Sequence, residues 1–323
     1  MENELNKIAK ALVAAGKGIL AADESTKTVE KRFAKINLQS TEENRQAYRE
    51  LLFTTPKLER YISGIIMFDE TIHQSTKDGK SFVQILKDKG IIPGIKVDEG
   101  LEDYAGHDGE KVTKGLHGLS IRLKEYRRLG AKFTKWRAAF SIGVNLPSDE
   151  CIDENAKRLA EFAKMSQQAG LMPIVEPEVL MEGNHSIEES EIATRRVLKK
   201  VFEELLLNKV IFSDILLKPN WIHPGLNSGN EPDSKEVAKV TLKVLKEVVP
   251  DSVPGLVFLS GGDHPKDATK NLEALNEVGT TPWHLSFSFG RALQEPVLWH
   301  GMARGRMLRL RRKLSWSVLN ETV

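Results

Sequence analysis

Ionisable side chains stand inside short apolar, β-branched runs, where a buried strand ordinarily has none. Asp23 ends the run from Gly18 to Asp23, and Lys96 and Asp98 end the run from Gly94 to Asp98. Lys135 and Arg137 open the run from Lys135 to Ile142, Glu176 and Glu178 sit in Met172 to Val179, and Lys218 lies in Asp214 to Asn220. Residues two apart on a strand point to the same side. Burying one such charge without a partner costs several kcal/mol. A mixed set of acids and bases meeting in one interior is therefore either a mutually neutralising ion-pair plug or a reactive centre.

Lys218 is the sharpest of these residues, because Ile215, Leu216 and Leu217 precede it and Pro219 follows. Desolvation and a nearby cation such as Lys135 both lower an amine's pKa, which is how a lysine becomes a nucleophile toward a carbonyl and forms a Schiff base. The alternative for a lone lysine at a strand end is a phosphate or carboxylate binder. Glu176 and Glu178 flank Pro177, and a carboxylate beside an amine can shuttle the protons that carbinolamine formation and dehydration require.

Two anion sites are expected around this cluster. Ser260 and Gly261, followed by Gly262, and the pair Gly290 and Arg291 each close a strand-like run. They would bring backbone N–H groups, a hydroxyl and a guanidinium to one phosphate. On the far side Ser25, Thr28, Lys96 and Arg137 could hold a second anion. Each of these four has a structural alternative: a helix cap for Ser25 or Thr28, and an interior ion pair for Lys96 or Arg137.

The elements that must position these groups follow from the same runs. Eight are present, adding Gly64 to Asp69, Gly255 to Gly262 and His284 to Gly290 to those above. Stretches of helical period lie between them, with capping patterns at Ser40 to Glu43 and Ser186 to Glu189 and an apolar stripe at Val237, Val240, Leu245 and Val248. The spacing suits crossover helices between parallel strands, and no linker divides the chain. The Gly-rich dinucleotide fingerprint is absent after the first strand, where Ala21-Ala22-Asp23-Glu24-Ser25 stands instead. A closed (β/α)8 TIM barrel of the α/β class is expected, one domain over residues 1–323, with its site at the carboxyl ends of the strands. Residues 303–323, rich in arginine, read as a C-terminal tail or a solvated helix face.

Composition narrows the function classes. The chain has 323 residues, 40% hydrophobic and 28% charged, which suits an ordinary globular core. With 47 Lys+Arg against 45 Asp+Glu the formal charge is +2, so no global basic field favours nucleic acid. No apolar run reaches the roughly eighteen residues of a membrane span, and the start of the chain reads as an amphipathic helix through Leu5, Ile8, Leu12 and Val13. Cys151 is the single cysteine, so a reducing, cytoplasmic setting is expected, although a removed import segment would leave no trace. The eight histidines show no metal-ligand spacing. No metal and no cofactor are expected.

The sequence resembles the class I, Schiff-base fructose-bisphosphate aldolases almost end to end. The resemblance is carried by residues 18–26 (GILAADEST), 41–45 (TEENR), 94–98 (GIKVD), 135–138 (KWRA), 173–178 (PIVEPE), 216–220 (LLKPN), 258–262 (FLSGG) and 285–294 (LSFSFGRALQ). It implies a (β/α)8 barrel that reversibly cleaves fructose 1,6-bisphosphate to dihydroxyacetone phosphate and glyceraldehyde 3-phosphate, in glycolysis and gluconeogenesis. It implies Lys218 as the Schiff-base lysine and Glu176 as the main general acid/base. Asp23 and Lys135 would act on substrate hydroxyls and the departing aldehyde, with Glu178 in support. Ser260, Gly261, Gly290 and Arg291 would hold the phosphate nearest the ketone, and Ser25, Thr28, Lys96 and Arg137 the other. The implied partner is a small sugar phosphate, with a homo-oligomer as the expected assembly.

Departures from the family pattern are also visible. Relatives often have Gly-Ser where this chain has Lys27-Thr28, Gln-Ser for Asp263-His264, and Met-Val for Trp221-Ile222. Many end in a tyrosine that assists proton exchange on the enamine, whereas this sequence ends Asn320-Glu-Thr-Val323. Two alternatives accompany the aldolase reading. One is a Schiff-base aldolase preferring another ketose phosphate, and the other a non-catalytic binding or scaffolding protein on the same barrel. Lys135 and Arg137 near the start of the fourth run sit awkwardly with a site at strand ends.

Overall fold

The computed structural model describes residues 3–230 and 233–302; the stretch read above as a tail, 303–323, lies outside the described residues. The strands in chain order are β1 (Gly18–Ala22), β2 (Ile62–Met67), β3 (Ile92–Lys96), β4 (Leu101–Asp103), β5 (Lys111–Thr113), β6 (Phe133–Phe140), β7 (Met172–Val179), β8 (Leu216–Leu217), β9 (Gly255–Phe258) and β10 (His284–Phe289). Eight of them close a parallel barrel in the order β1-β10-β9-β8-β7-β6-β3-β2, the architecture expected from the eight runs. β4 and β5 form an antiparallel hairpin after β3, with Leu101 opposite Thr113. Sequence reading missed it, because three-residue strands are too short for a period-2 signal. Asn155 on the helix Asp149–Gln168 ties it down, accepting from the Thr113 N–H and donating to the Lys111 carbonyl at 2.9 Å.

The period of two divides each strand between two cores. Outward residues such as Leu20, Ile65, Ile95, Trp136, Val175, Leu217 and Phe258 pack under the helices. Inward residues Ile19, Ala21, Ile66, Phe133, Met172, Ile174, Leu216 and Val257 fill the lower lumen, and Ala9, Leu12 and Val13 plug it from below. Ala9 and Leu12 belong to the helix Glu4–Leu12, the amphipathic start of the chain. Two residues further along the same inward faces stand Asp23 after Ala21, Lys135 after Phe133, Glu176 after Ile174, and Lys218 after Leu216. One lumen is apolar at its base and ionisable at its top.

The connecting helices carry the expected caps. The Ser186 side chain and Glu189 form a capping box at the start of Ile187–Leu207. At the other expected box the cap is Thr41, one residue beyond Ser40, accepting from the Asn44 N–H at 3.2 Å. β8 pairs for only two residues before Lys218 donates its N–H to the Val175 carbonyl at 2.8 Å. Pro219, lacking an N–H, ends the ladder there.

Candidate active site

β6 begins at Phe133, two residues before its expected start, and Lys135 pairs in register with Lys96, the last residue of β3. Arg137 is in register with Glu176. Strands in a closed barrel are staggered, so a residue's height in the lumen depends on its neighbours and not on its position along its own strand. The third residue of β6 therefore stands level with the end of β3. The awkward placement of Lys135 and Arg137 disappears for this reason.

Four buried charges form a chain across the lumen. Lys135 Nζ lies 2.8 Å from Asp23 Oδ2 and 3.1 Å from Glu176 Oε2, and Lys218 Nζ lies 2.9 Å from Glu176 Oε1. Glu176 thus presents one oxygen to each lysine. All four residues are buried, none more than 9% exposed. Burial pushes the Glu176 carboxyl up, but Lys135, Lys218 and Arg137 together outweigh it and hold the group below the usual glutamate range. Asp23 behaves alike: desolvation raises it, while Lys135, then Lys218 and Lys96, bring it well below an ordinary aspartate. Desolvation opposes the Lys135 ammonium, yet Asp23, Glu176 and Asp98 raise its affinity for the proton. The carboxylates are ionised and Lys135 is cationic because each stabilises the other in a medium that screens poorly.

Asp98, read above as an interior charge but given no site role, and Glu24, absent from the expected site, organise its edges. Asp98 Oδ1 meets Lys96 Nζ at 2.6 Å, while its other oxygen accepts the Arg137 N–H at 3.2 Å and lies 3.8 Å from Lys135 Nζ. Its signal was its position two residues after Lys96 on the same face. Glu24 pairs with Arg32 and with Arg49 at 2.8 Å, and accepts from Gln294 Nε2 at 2.8 Å. It binds the end of β1 to the helices Thr26–Ala34, Glu42–Phe53 and Arg291–Met302. Nothing local marked that role, since its partners lie up to 270 residues away. Ser288, buried with no hydrogen-bond partner for its hydroxyl among the described residues, also faces the site.

One cavity of about 1210 Å³ opens above this cluster, and all thirteen expected site residues line it: Asp23, Ser25, Thr28, Lys96, Lys135, Arg137, Glu176, Glu178, Lys218, Ser260, Gly261, Gly290 and Arg291. They fall at two poles. Ser260 and Gly261 follow β9 and Gly290 and Arg291 follow β10, on neighbouring strands. Gly261 has φ +54°, a left-handed conformation that favours glycine, and a Cβ at Gly290 would lie 3.2 Å from the Ala21 carbonyl oxygen. At the other pole Ser25 occupies the cap of the helix Thr26–Ala34 but makes no capping hydrogen bond; its Oγ lies 3.1 Å from Thr28 Oγ1. The cap alternative for Ser25 is thus not realised. Lys96 and Arg137 are interior ion pairs, with Asp98 and Glu178, and line the cavity as well. The ion-pair alternative is realised for both, and both remain in the cavity wall.

Known proteins resemble this chain over most of its length. The family model for fructose-bisphosphate aldolase class-I matches residues 4–311. A probable fructose-bisphosphate aldolase class 1 of Xanthomonas campestris pv. campestris is 50% identical over 295 residues, 91% of this chain and 88% of that protein. Cytosolic fructose-bisphosphate aldolase 4 of Arabidopsis thaliana is 51% identical over 289 residues, 88% of this chain and 74% of that protein. Among solved structures, the aldolase of Plasmodium falciparum, in a ternary co-crystal with TRAP and a small-molecule inhibitor, superposes with a TM-score of 0.93 at 44% identity, covering 99% of this chain and 90% of that one.

Proposed function

The chain belongs to the class I fructose-bisphosphate aldolase family, and on that premise we propose that Lys218, Glu176, Asp23, Lys135 and Glu178 divide its catalytic work. The reaction is the reversible aldol cleavage of fructose 1,6-bisphosphate through a lysine Schiff base, making the protein a carbon–carbon lyase. The observation that carries the assignment is Glu176 bridging the two lysines, with one oxygen 2.9 Å from Lys218 Nζ and the other 3.1 Å from Lys135 Nζ.

In the assigned sequence Glu176 takes a proton from the Lys218 ammonium, and the freed amine attacks the C2 carbonyl. The nitrogen then passes a second proton to the new oxyanion, giving the carbinolamine, whose hydroxyl receives the first proton from Glu176 and leaves as water, giving the iminium. Asp23 removes the proton of the C4 hydroxyl as the C3–C4 bond breaks; the bond's electron pair flows into the iminium and forms the enamine. Lys135, paired with both Asp23 and Glu176, favours their ionised, proton-accepting form in the resting site and stabilises negative charge developing on the oxygens between them. Glu178 holds Arg137 beside the distal phosphate. Ser260, Gly261, Gly290 and Arg291 take the phosphate next to the ketone, and Ser25, Thr28, Lys96 and Arg137 the phosphate on C6.

Borohydride added during turnover is expected to fix substrate carbon on Lys218, read by peptide mass spectrometry, while EDTA leaves the rate unchanged. An adduct on another lysine, or activity lost to the chelator, would refute the assignment. A homo-oligomer in the cytoplasm completes the proposal. Leu206, Leu207 and Ile211, all more than half exposed, support a buried interface. The cytosolic aldolases of Arabidopsis among the relatives support the compartment. No described helix is long and apolar enough to cross a membrane. Sedimentation of the purified chain tests the first point, and fractionation of the native cell the second.

A further inference from the structure

Most of the cations lining the cavity already have a carboxylate. Lys96 is held by Asp98, Arg137 by Glu178, Arg32 by Glu24, and Arg122 approaches Glu99 at 3.5 Å. Lys135 and Lys218 belong to the buried chain of charges. Lys27 differs. It lines the same cavity, is exposed, and has no carboxylate within ion-pair distance among the described residues. It is the second residue of the helix Thr26–Ala34, between Ser25 and Thr28, whose hydroxyls face each other at 3.1 Å.

That position offers an ammonium no support from the fold. The N-terminus of a helix carries partial positive charge, so a cation there is disfavoured, and the first turn of this helix holds no acidic residue to offset it. An anion placed at Ser25 and Thr28 reverses the balance, because the exposed N–H groups, the two hydroxyls and the ammonium then all meet negative charge. The neutralised Lys96 and Arg137 add little net charge to that pole. Lys27 supplies, at the end of the helix that frames it, a positive charge with no carboxylate within ion-pair distance among the described residues.

We propose that Lys27 is a specificity-determining residue, contacting the C6 phosphate directly and biasing the enzyme toward ketose 1,6-bisphosphates over ketose 1-phosphates. This inference rests on the proposed placement of the two phosphates. The preference has an electrostatic origin and is accordingly sensitive to salt.

Steady-state kinetics of Lys27→Ala, Lys27→Arg and the unaltered enzyme on fructose 1,6-bisphosphate and fructose 1-phosphate test it. Lys27→Ala is expected to raise KM for the bisphosphate about 3- to 10-fold, the scale of one partly exposed charge-assisted contact. The kcat values and the KM for fructose 1-phosphate should stay unchanged. Lys27→Arg should restore the preference, and raising the salt to about 1 M, where the screening length is only about 3 Å, should erase most of the difference between enzyme and variant. The thermal midpoint of Lys27→Ala should equal or exceed that of the unaltered enzyme, because the helix loses an unfavourable charge; a purely structural role would lower it. Equal KM changes for both substrates, or none for the bisphosphate, overturn the inference while leaving the catalytic assignment intact. Failure of the unaltered enzyme to cleave either ketose, or trapping on a lysine other than Lys218, overturns both.

Discussion

Lys135 sits where removal of one ammonium leaves two carboxylates with a shared deficit. Asp23 and Glu176 are both held below their ordinary values, so each contributes stability that is present above about pH 4 and lost as pH falls through its lowered value. In Lys135→Met the same carboxyls lose the largest of the charges that lower them while burial still raises them, so much of the stability present above about pH 4 is lost. Urea titrations should therefore show the variant about 3–5 kcal/mol less stable at pH 7 and much closer to the unaltered protein at pH 4. A difference independent of pH would mean that lost packing, and not the unpaired carboxylates, governs the effect. Arg291 makes a complementary case at the other pole. Arg291→Ala is expected to weaken fructose 1,6-bisphosphate and fructose 1-phosphate alike, by about 10- to 100-fold in kcat/KM. A loss confined to the bisphosphate would move Arg291 to the opposite phosphate.

At the scale of elements, the loop after β9 carries both a phosphate site and a buried acid. Asp263 donates its backbone N–H to the Ser260 carbonyl at 2.9 Å and accepts from Asn271 Nδ2 at 3.4 Å. Burial pushes its carboxyl up to about 6, with Asp267 adding to the rise and His223 opposing it. A carboxyl raised in the folded state favours the protonated form, so its contribution is complete below about pH 4 and is lost as pH climbs to about 6. Above that it is a standing cost. Asp263→Asn keeps the acceptor oxygen and removes the charge, and should stabilise the protein by about 3 kcal/mol at pH 7.5 and about 1 kcal/mol at pH 4.5. Calorimetry at the two pH values reads this directly; equal shifts at both would show that ionisation is not the source.

Across the whole molecule the barrel separates stability from chemistry along its axis. The base is packed without slack: a Cβ at Gly94 would fall 2.2 Å from the Phe133 ring, and one at Gly64 would fall 2.3 Å from a Leu12 methyl. Both inward positions abut the apolar plug formed with the helix Glu4–Leu12. Overpacking of this kind costs about 1–3 kcal/mol. Gly94→Ala should lower the unfolding midpoint while kcat on fructose 1,6-bisphosphate stays within about twofold, because barrel chemistry is confined to the opposite end. A fall in kcat as large as that of a site variant would show that strain at the base reaches the lysines.

The sequence by itself determined the eight barrel strands and the closed barrel, and it singled out thirteen residues that line one cavity, because each rests on information a few residues wide. Period-2 faces, the Pro after Lys218 and the glycines at strand ends are all local. Tertiary structure alone decided which charges meet. The stagger of β6 against β3 puts Lys135 level with Lys96, and the lumen then brings Asp23, Glu176 and Lys218 within 3.1 Å of a partner. Asp98 and Glu24 acquired their roles from contacts across the barrel, and the β4–β5 hairpin from Asn155 on a later helix. Electrostatic coupling falls off with distance and grows with burial. Both quantities exist only once the barrel has closed, so the charge state of the site could not be read from spacing along the chain.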